Sequence, residues 1–302
     1  MRLMVLSRNG TLYSTARLLR SARAKAHDVT LTDPTELQLA VLGGAPRLLQ
    51  AGSPLALPDV VLPRIGASIT AHGVTVVRAL EQAGCAVLNG ADAIALSRDK
   101  VRSLEVLGRA RIRVPRTLST RTLAGLEDAL ALIGGTPTIV KLQNGTHGVG
   151  TMLAETRQAL FALAETLAAM GQTLILQEFV REARGRDVRA FVVGGKVVAA
   201  MLRVAPKGEF RSNLHRGGTG KQVVLTRRFR STAERSAKVL GLDVAGVDML
   251  ASRGEPIVLE VNSSPGLEGI EEVTQVDVAA HIVRHAEAVF RGRRRQRRRR
   301  AG

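Results

Sequence analysis

Two neighbouring segments decide the architecture: Val244-Ala245-Gly246-Val247-Asp248-Met249-Leu250, and, beyond Arg253-Gly254, Ile257-Val258-Leu259-Glu260-Val261-Asn262. Both are apolar runs of strand length, and each is interrupted by polar residues. Side chains alternate across a strand, so Glu260 and Asn262 share one face. If the segments pair as a hairpin about residues 252–255, Asp248 falls nearly opposite Glu260. Three oxygen-bearing side chains then converge in apolar surroundings, where like-charged carboxylates repel unless a cation joins them. Hard oxygen donors of this kind suit Mg²⁺ or Mn²⁺ bridging substrate phosphates. The plainer alternative is a set of polar positions on a half-exposed strand.

Working outward, Lys141 ends the apolar run Thr138-Ile139-Val140, and Asn144-Gly145-Thr146-His147-Gly148-Val149-Gly150 follows. A lysine in a strand often only guards an edge. Here it stands before a glycine-rich hairpin whose backbone N–H groups can wrap phosphate oxygens. The loop lacks the Gly-Lys-Ser/Thr of a Walker sequence and does not open a helix as a dinucleotide fingerprint does. Gln177-Glu178-Phe179-Val180 leads into Gly185-Arg186-Asp187-Val188-Arg189, a bend suited either to an adenine edge and a ribose or to a linker. Arg203 and the stretch Phe210-Arg211-Ser212-Asn213-Leu214-His215-Arg216-Gly217-Gly218 form either an anion-stabilising loop or a solvated basic one.

The rest of the chain bounds these readings. Its 302 residues, 45% hydrophobic, suffice for two or three domains. Lys and Arg number 44 against 26 Asp and Glu, a formal charge of +18 that favours anionic partners. Eight of those arginines crowd into residues 291–300. With no Trp and one Tyr, the chain lacks the stacking platforms of single-stranded nucleic-acid binders. A single cysteine, Cys85, excludes an intrachain disulfide and reads as a small buried residue in a reducing, cytoplasmic compartment. No apolar run approaches the roughly 18 residues of a membrane span, and the apolar start, Met1 to Leu6, is too short for a signal peptide.

Along the chain, Leu3–Ser7, Val29–Thr32, Asp59–Arg64 and Ala86–Asn89 read as strands, and Leu12–Ala26 and Ile69–Gly84 as helices. They imply an open, largely parallel sheet over residues 1–95. A helix over 91–111 ends before Pro115. Helix 122–133, strand 138–142, strand 151–154, helix 156–170 and strand 173–177 follow. Strands at 188–193, 196–204 and 222–225 and a helix at 230–240 precede the opening pair. A helix at 275–290 and a disordered Arg-rich tail over 291–302 complete the chain.

Taken together, these residues resemble the ATP-grasp carboxylate–amine ligases, and within them the RimK-like glutamate ligases. Lys100, Lys141, Gly145 to Gly150, Gln177 to Val180, Asp187, Arg211-Ser212-Asn213, Asp248 and Glu260-Val261-Asn262 occur in family order. Leu6 to Ser14, Pro63-Arg64-Ile65-Gly66, Ser97-Arg98-Asp99-Lys100 and Asn262 to Ile270 narrow the match over about residues 1–290. The resemblance implies an N-terminal α/β domain (1–95) and an α+β ATP-grasp pair (96–177 and 178–290). It also implies ATP and two Mg²⁺ or Mn²⁺ as cofactors, a homotetramer, and a ligase that adds L-glutamate to the C-terminus of the sixth small-subunit ribosomal protein through an acyl phosphate, with free poly-glutamate as a further product. Lys100, Lys141, Gly145, Thr146, Gly148 and Gly150 are then expected at the phosphates, Glu178 and Phe179 at adenine, and Asp187 at the ribose. Arg211, Ser212 and Asn213 are expected at the phosphate end, Asp248, Glu260 and Asn262 at the metals, Arg203, Arg211 and Arg216 at the reacting charges, and Arg64 at a substrate carboxylate. A sister ligase acting on an amino-acid carrier protein or a glutamyl coenzyme shares the same ATP site. A non-enzymatic RNA- or ribosome-binding protein relies instead on the Arg tail, which as an extension of the ligase is expected to contact ribosomal RNA or the acidic glutamate chain.

Overall fold

The computed structural model describes residues 1–143, 150–214 and 217–301. β1 (Arg2–Leu6), α1 (Tyr13–Ala24) and β2 (Asp28–Thr32) open the chain. A meander of β3 (Leu37–Leu42), β4 (Ala45–Gln50) and β5 (Ser53–Pro54) follows, then β6 (Val60–Pro63), α2 (Thr70–Gln82) and β7 (Ala86–Val87). The main sheet has order β2-β1-β6-β7 and is parallel throughout, as the alternating strand and helix signals imply. Four of five β1 residues are buried, the usual state of a strand covered on both faces. The sequence reading assigns nothing to the meander. Leu39, Val41 and Leu42 are exposed on it, so the apolar alternation is broken. Gly43 and Gly44 (φ 60° and 83°) make the two-residue turn between β3 and β4.

The helix expected over 91–111 is two helices, α3 (Ala91–Arg98) and α4 (Lys100–Arg109). Asp99 divides them: its carboxylate accepts hydrogen bonds from the backbone N–H of Val101 (3.2 Å) and Arg102 (3.0 Å), capping α4. A small antiparallel sheet follows, built from β8 (Thr117–Thr120), β9 (Thr138–Leu142), β10 (Thr151–Ala154) and β11 (Leu174–Glu178) in the order β10-β9-β11-β8. Helices α5 (Leu126–Leu132) and α6 (Arg157–Ala169) cover it, and Val140, Leu160, Leu174 and Leu176 form its own core.

The large sheet is antiparallel, with order β14-β13-β12-β15-β16. Its strands are β12 (Arg186–Val193), β13 (Lys196–Val204), β14 (Thr219–Gln222), β15 (Val244–Ser252) and β16 (Glu255–Asn262). One face buries Ala190, Val192, Val247 and Val258 against α7 (Arg227–Val239). On the other, Phe191, Val193, Met201 and Val244 pack on α8 (Glu268–Thr274), α9 (Val278–Ala301) and the N-terminal sheet. The N-terminal unit therefore shares a core with the large sheet. Buried Asn89 ties the two, donating to the carbonyls of Val244 (2.7 Å) and Ser263 (2.8 Å) and accepting from the N–H of Val244 (2.8 Å).

The final helix departs from expectation. The backbone stays helical from Val278 to Ala301, whereas the Arg-rich composition implies disorder from residue 291 onward. Its first half is docked through Val278, Ile282, Val283 and Ala286. Propagation from a formed helix needs one residue at a time, and Arg is a good helix former. Arg294 also stacks over Phe290 (5.7 Å), and Arg293 donates to the carbonyl of Gly84 (3.2 Å).

The shared core predicts that Ile282→Ala destabilises the whole chain by about 2–5 kcal/mol. In urea titrations followed by circular dichroism, the N-terminal and large sheets are expected to unfold together, so two separate transitions would contradict a common core.

Candidate active site

Along the second face of the large sheet, the apolar positions Phe191 and Met201 give way to a row of charges. Register places Arg203 beside Asp187, Arg189 beside Asp248, and Asp248 beside Glu260. A bulge after Asp248 keeps Glu260 as its cross-strand neighbour. Arg203 is 3% exposed and Asp248 is 2% exposed, so neither charge has water to solvate it. Arg203 grips Asp187 bidentately (Nε to Oδ1, 2.7 Å) and also reaches Asp248 (2.9 Å). Arg189 holds both oxygens of Asp248, at 2.7 and 2.6 Å. Burial alone would push the Asp248 carboxyl up, but the Arg189 and Arg203 guanidiniums outweigh it and hold that carboxyl well below the usual carboxylate range. The two carboxylates likewise keep Arg203 firmly protonated against its burial.

Nε and Nη2 of Arg203, expected at the reacting charges, donate to Asp187 and Asp248, and the Asp187 carboxylate, expected at the ribose, accepts from Arg203. Arg189, which the sequence reading passed over, completes the network. Period-2 spacing from Asp187 was the available signal.

Glu260 is exposed and accepts from Asn262 Nδ2 at 3.1 Å. Asp248, with about four acceptor positions and three guanidinium contacts, keeps one lone pair to spare. Two carboxylates and an amide on adjoining strands are hard oxygen donors, and they fit a magnesium ion chemically. Among the described residues, no three His, Cys, Asp or Glu side chains group to hold a metal.

Lys141, on β9, meets this row from the small sheet. Burial pushes its ammonium down, while Glu260 and Asp248 pull it back up, so the lysine stands within their electrostatic reach. Lys100, at the start of α4, donates to the carbonyls of Leu142 (3.0 Å) and Gln143 (2.6 Å). Burial lowers its ammonium too, Glu260 opposes that, and Lys141 and Arg98 reinforce it. Lys100 thus fixes the strand end that launches the glycine-rich loop. At the other side of that loop, Gly150 has φ 74°, and a Cβ there would lie 3.0 Å from the Leu142 side chain. Gly145, Thr146, Gly148 and Arg216 lie outside the described residues.

Glu178 closes β11, and its carboxylate accepts from the backbone N–H (3.2 Å) and Nε (3.1 Å) of Arg116, with half-buried Phe179 next to it. Register pairs Thr138 with Glu178 and Lys141 with Ile175, which sets Glu178 three residues, about 10 Å, along the sheet from Lys141. Arg211 is clamped by Glu209 (Nε to Oε1 3.0 Å, Nη2 to Oε2 2.7 Å) and donates to the Thr151 carbonyl (3.2 Å), so it joins its loop to the small sheet. Ser212 is buried and Asn213 half-buried beside it. Arg64, at the end of β6, donates to the Pro265 carbonyl (2.7 Å); burial and neighbouring Arg98 push its guanidinium down to about 10. The cavity of about 540 Å³ beside Lys196, Asp243 and His285 is lined by none of these residues.

Comparison with known proteins decides the family. Residues 1–94 match the RimK PreATP-grasp domain and residues 97–286 the RimK-like ATP-grasp domain. The chain belongs to the RimK-like ATP-grasp family. It is therefore an ATP-dependent ligase. It is 47% identical over 296 residues to a probable alpha-L-glutamate ligase of Thioalkalivibrio sulfidiphilus, covering 98% of each chain. A probable alpha-L-glutamate ligase of Vibrio vulnificus is 46% identical, covering 95% of each. Among solved structures, the ATP-grasp ligase PsnB with its minimal precursor superposes at a TM-score of 0.75 and 23% identity, over 95% of this chain and 98% of that one. D-alanine–D-alanine ligase of Bacillus anthracis complexed with ATP superposes at 0.66 and 16% identity, over 97% and 99%, which shows a common fold.

Within the ATP-grasp frame, Lys141 of the small sheet lies within electrostatic reach of Asp248 and Glu260 of the large one, and β11 runs from beside Lys141 to Glu178. Arg116 and Glu209 join Arg189 as residues that sequence reasoning missed. Each serves a residue that it named, across a turn or a strand pair that only the folded register reveals.

Arg203→Leu leaves Asp187 and Asp248 buried with too few partners, and it is expected to cost about 3–5 kcal/mol in urea denaturation. The pair of Glu209 with Arg211 predicts an acid limb. Glu209 falls from its ordinary 4.5 to about 2, so its contribution is present above pH 4.5 and is lost as pH falls through about 2. Glu209→Gln is expected to flatten the stability curve over that window.

Proposed function

We propose that this chain uses ATP to join the amine of L-glutamate to a carboxylate, and that its acceptor is the C-terminal carboxylate of the sixth small-subunit ribosomal protein. The observation that carries this reading is the opposition of Lys141 to Asp248 and Glu260 between two sheets, in a chain 45–47% identical to several probable alpha-L-glutamate ligases. A carboxylate is a poor electrophile. Its oxygen attacks the γ-phosphorus of ATP and ADP leaves; the glutamate amine then attacks the acyl carbon, phosphate departs, and the ammonium proton is given up.

No protein nucleophile enters this scheme, so the residues bind, orient and stabilise charge. Lys141 supplies a desolvated point charge to the transferring phosphoryl group, where a preorganised cation acts most strongly. Lys100, bonded to the carbonyls of Leu142 and Gln143, steadies the end of β9 beside the phosphates. Glu178, steadied by Arg116, and Phe179 receive the adenine, and Arg211, Ser212 and Asn213 close the phosphate end. Asp248, Glu260 and Asn262 hold magnesium, one ion or two, with manganese as a substitute. When bound, the metal neutralises phosphoryl oxygens. Arg189, Arg203 and Asp187 fix the Asp248 carboxylate for that task. A cytoplasmic tetramer accords with this reading, and the exposed Arg291, Arg293 and Arg294 of α9 offer a contact for ribosomal RNA or a growing acidic chain.

Purified protein assayed with ATP, Mg²⁺, the ribosomal protein and each of the twenty amino acids is expected to release ADP with L-glutamate and to add glutamate residues to the acceptor C-terminus by mass spectrometry. ADP release driven by another amino acid, or an unmodified acceptor, contradicts the assignment. Lys141→Met is expected to lower kcat about a hundred- to a thousandfold, and Glu260→Ala to abolish ligation at physiological Mg²⁺.

A further inference from the structure

The hairpin that carries Asp248, Glu260 and Asn262 is open at the end away from its turn. There β12 still pairs with β15 as far as Val244, but β16 stops at Asn262, opposite Gly246. The backbone N–H and C=O of buried Val244 thus lie beyond the reach of β16. Asn89, two residues past β7 and 1% exposed, takes the place of the missing strand. Its Oδ1 accepts from the Val244 N–H (2.8 Å) and its Nδ2 donates to the Val244 carbonyl (2.7 Å), the pair of bonds that an antiparallel strand neighbour makes. Nδ2 also donates to the carbonyl of Ser263 (2.8 Å), the residue after Asn262. The same loop is held twice more from the N-terminal domain. Arg64 Nη2 donates to the Pro265 carbonyl (2.7 Å), and Ser14 Oγ accepts from the Leu267 N–H (2.9 Å). Gly246 lets the loop fold closely over the hairpin, since a Cβ there would lie 2.7 Å from Pro265 Cβ.

A carboxamide carries one acceptor oxygen and two N–H donors, so Asn89 can make all three bonds at once. Aspartate of the same shape lacks both donors, and leucine lacks all three groups. Without the amide, backbone groups of Val244 and Ser263 would be left buried and unpaired, which is costly. The tether matters because of what it adjoins. Asn262 occupies the last rung of the hairpin, its Nδ2 donates to Glu260 (3.1 Å), and Glu260 stands across from Asp248. We infer that Asn89 is a positioning residue for the metal-binding end of the hairpin. By bonding Val244 and Ser263 it lets the N-terminal domain fix Asn262, and with it Glu260, relative to Asp248. This role depends on the magnesium binding proposed for those three side chains. Asn89 touches none of the reacting groups; it acts on the backbone that aims the ligands, and groups of that kind tune metal affinity.

The test uses the full chain and its Asn89→Ala, Ser14→Ala, Asn262→Ala and Leu48→Ala variants. Each is saturated with ADP and titrated with Mn²⁺, the free ion being followed by electron paramagnetic resonance. Asn89→Ala is expected to raise the Mn²⁺ Kd about tenfold. Ser14→Ala, which removes a single neutral hydrogen bond from the same loop, is expected to raise it about two- to fivefold. Leu48→Ala loses core packing at the meander, so its Tm falls while its Mn²⁺ Kd stays within about twofold of wild type. That control separates positioning from a general loss of stability. Wild-type Mn²⁺ affinity in Asn89→Ala, or an equal loss in Leu48→Ala, overturns the inference. If Asn89→Ala does not fold, an unchanged Kd in Ser14→Ala overturns it instead. An Asn262→Ala variant that binds Mn²⁺ like wild type would sink the metal reading itself. Weakened binding in Asn262→Ala with none in Asn89→Ala would sink the positioning role alone.

Discussion

The grip of Arg189 and Arg203 on the Asp248 carboxylate sets the terms for the rest of the molecule. Asp248 sits where one face of the large sheet changes from core to cleft, with Val244 behind it and Glu260 beside it. A carboxylate buried there without partners would protonate or pull the strand toward water. Arg189 and Arg203 keep it ionised, and Asp187 keeps Arg203 from being a surplus charge. The arrangement is not a bargain in stability, since buried ion pairs are often matched by well-packed apolar residues. Its return is a fixed anion at a defined depth, which an apolar substitute cannot provide.

That fixed anion explains the arrangement opposite. Burial lowers the ionisation of the Lys141 ammonium, and the charges of Glu260 and Asp248 oppose that shift. Lys100 does related work at the loop base by tying down two carbonyls. The shared core of the N-terminal sheet, α1 and α9 then brings Asn89 to the open end of the β15–β16 hairpin. The small sheet, by contrast, keeps a core of its own, and the hydrogen bond from Arg211 to the Thr151 carbonyl ties the loop between β13 and β14 to it. Such a division suits a cleft that admits a nucleotide between two rigid sheets.

Much of this was legible before folding. Period-2 alternation and Gly254 implied the hairpin that sets Asp248 against Glu260, and the structure realises that register with one bulge. The parallel N-terminal sheet followed from short apolar runs between helical segments. What stayed hidden has physical reasons. Arg189 is one more polar residue in a strand until β12 and β15 are aligned. Arg98 ends α3 only because the expected single helix over 91–111 breaks at Asp99, and its Nε is buried. The β3–β4–β5 meander exposes apolar residues and so breaks the alternation that marks a half-buried sheet. An Arg-rich run with nothing to pack a core implied a disordered tail, but a docked helix propagates into it and two of its arginines find partners.

The central claim is that the cleft between Lys141 and the Asp248–Glu260 pair phosphorylates a carboxylate before glutamate attacks it. Oxygen-18 placed in the acceptor's terminal carboxylate tests this most directly. The account predicts that one labelled oxygen appears in the released phosphate for each glutamate joined. Ligation that leaves the phosphate unlabelled would contradict it.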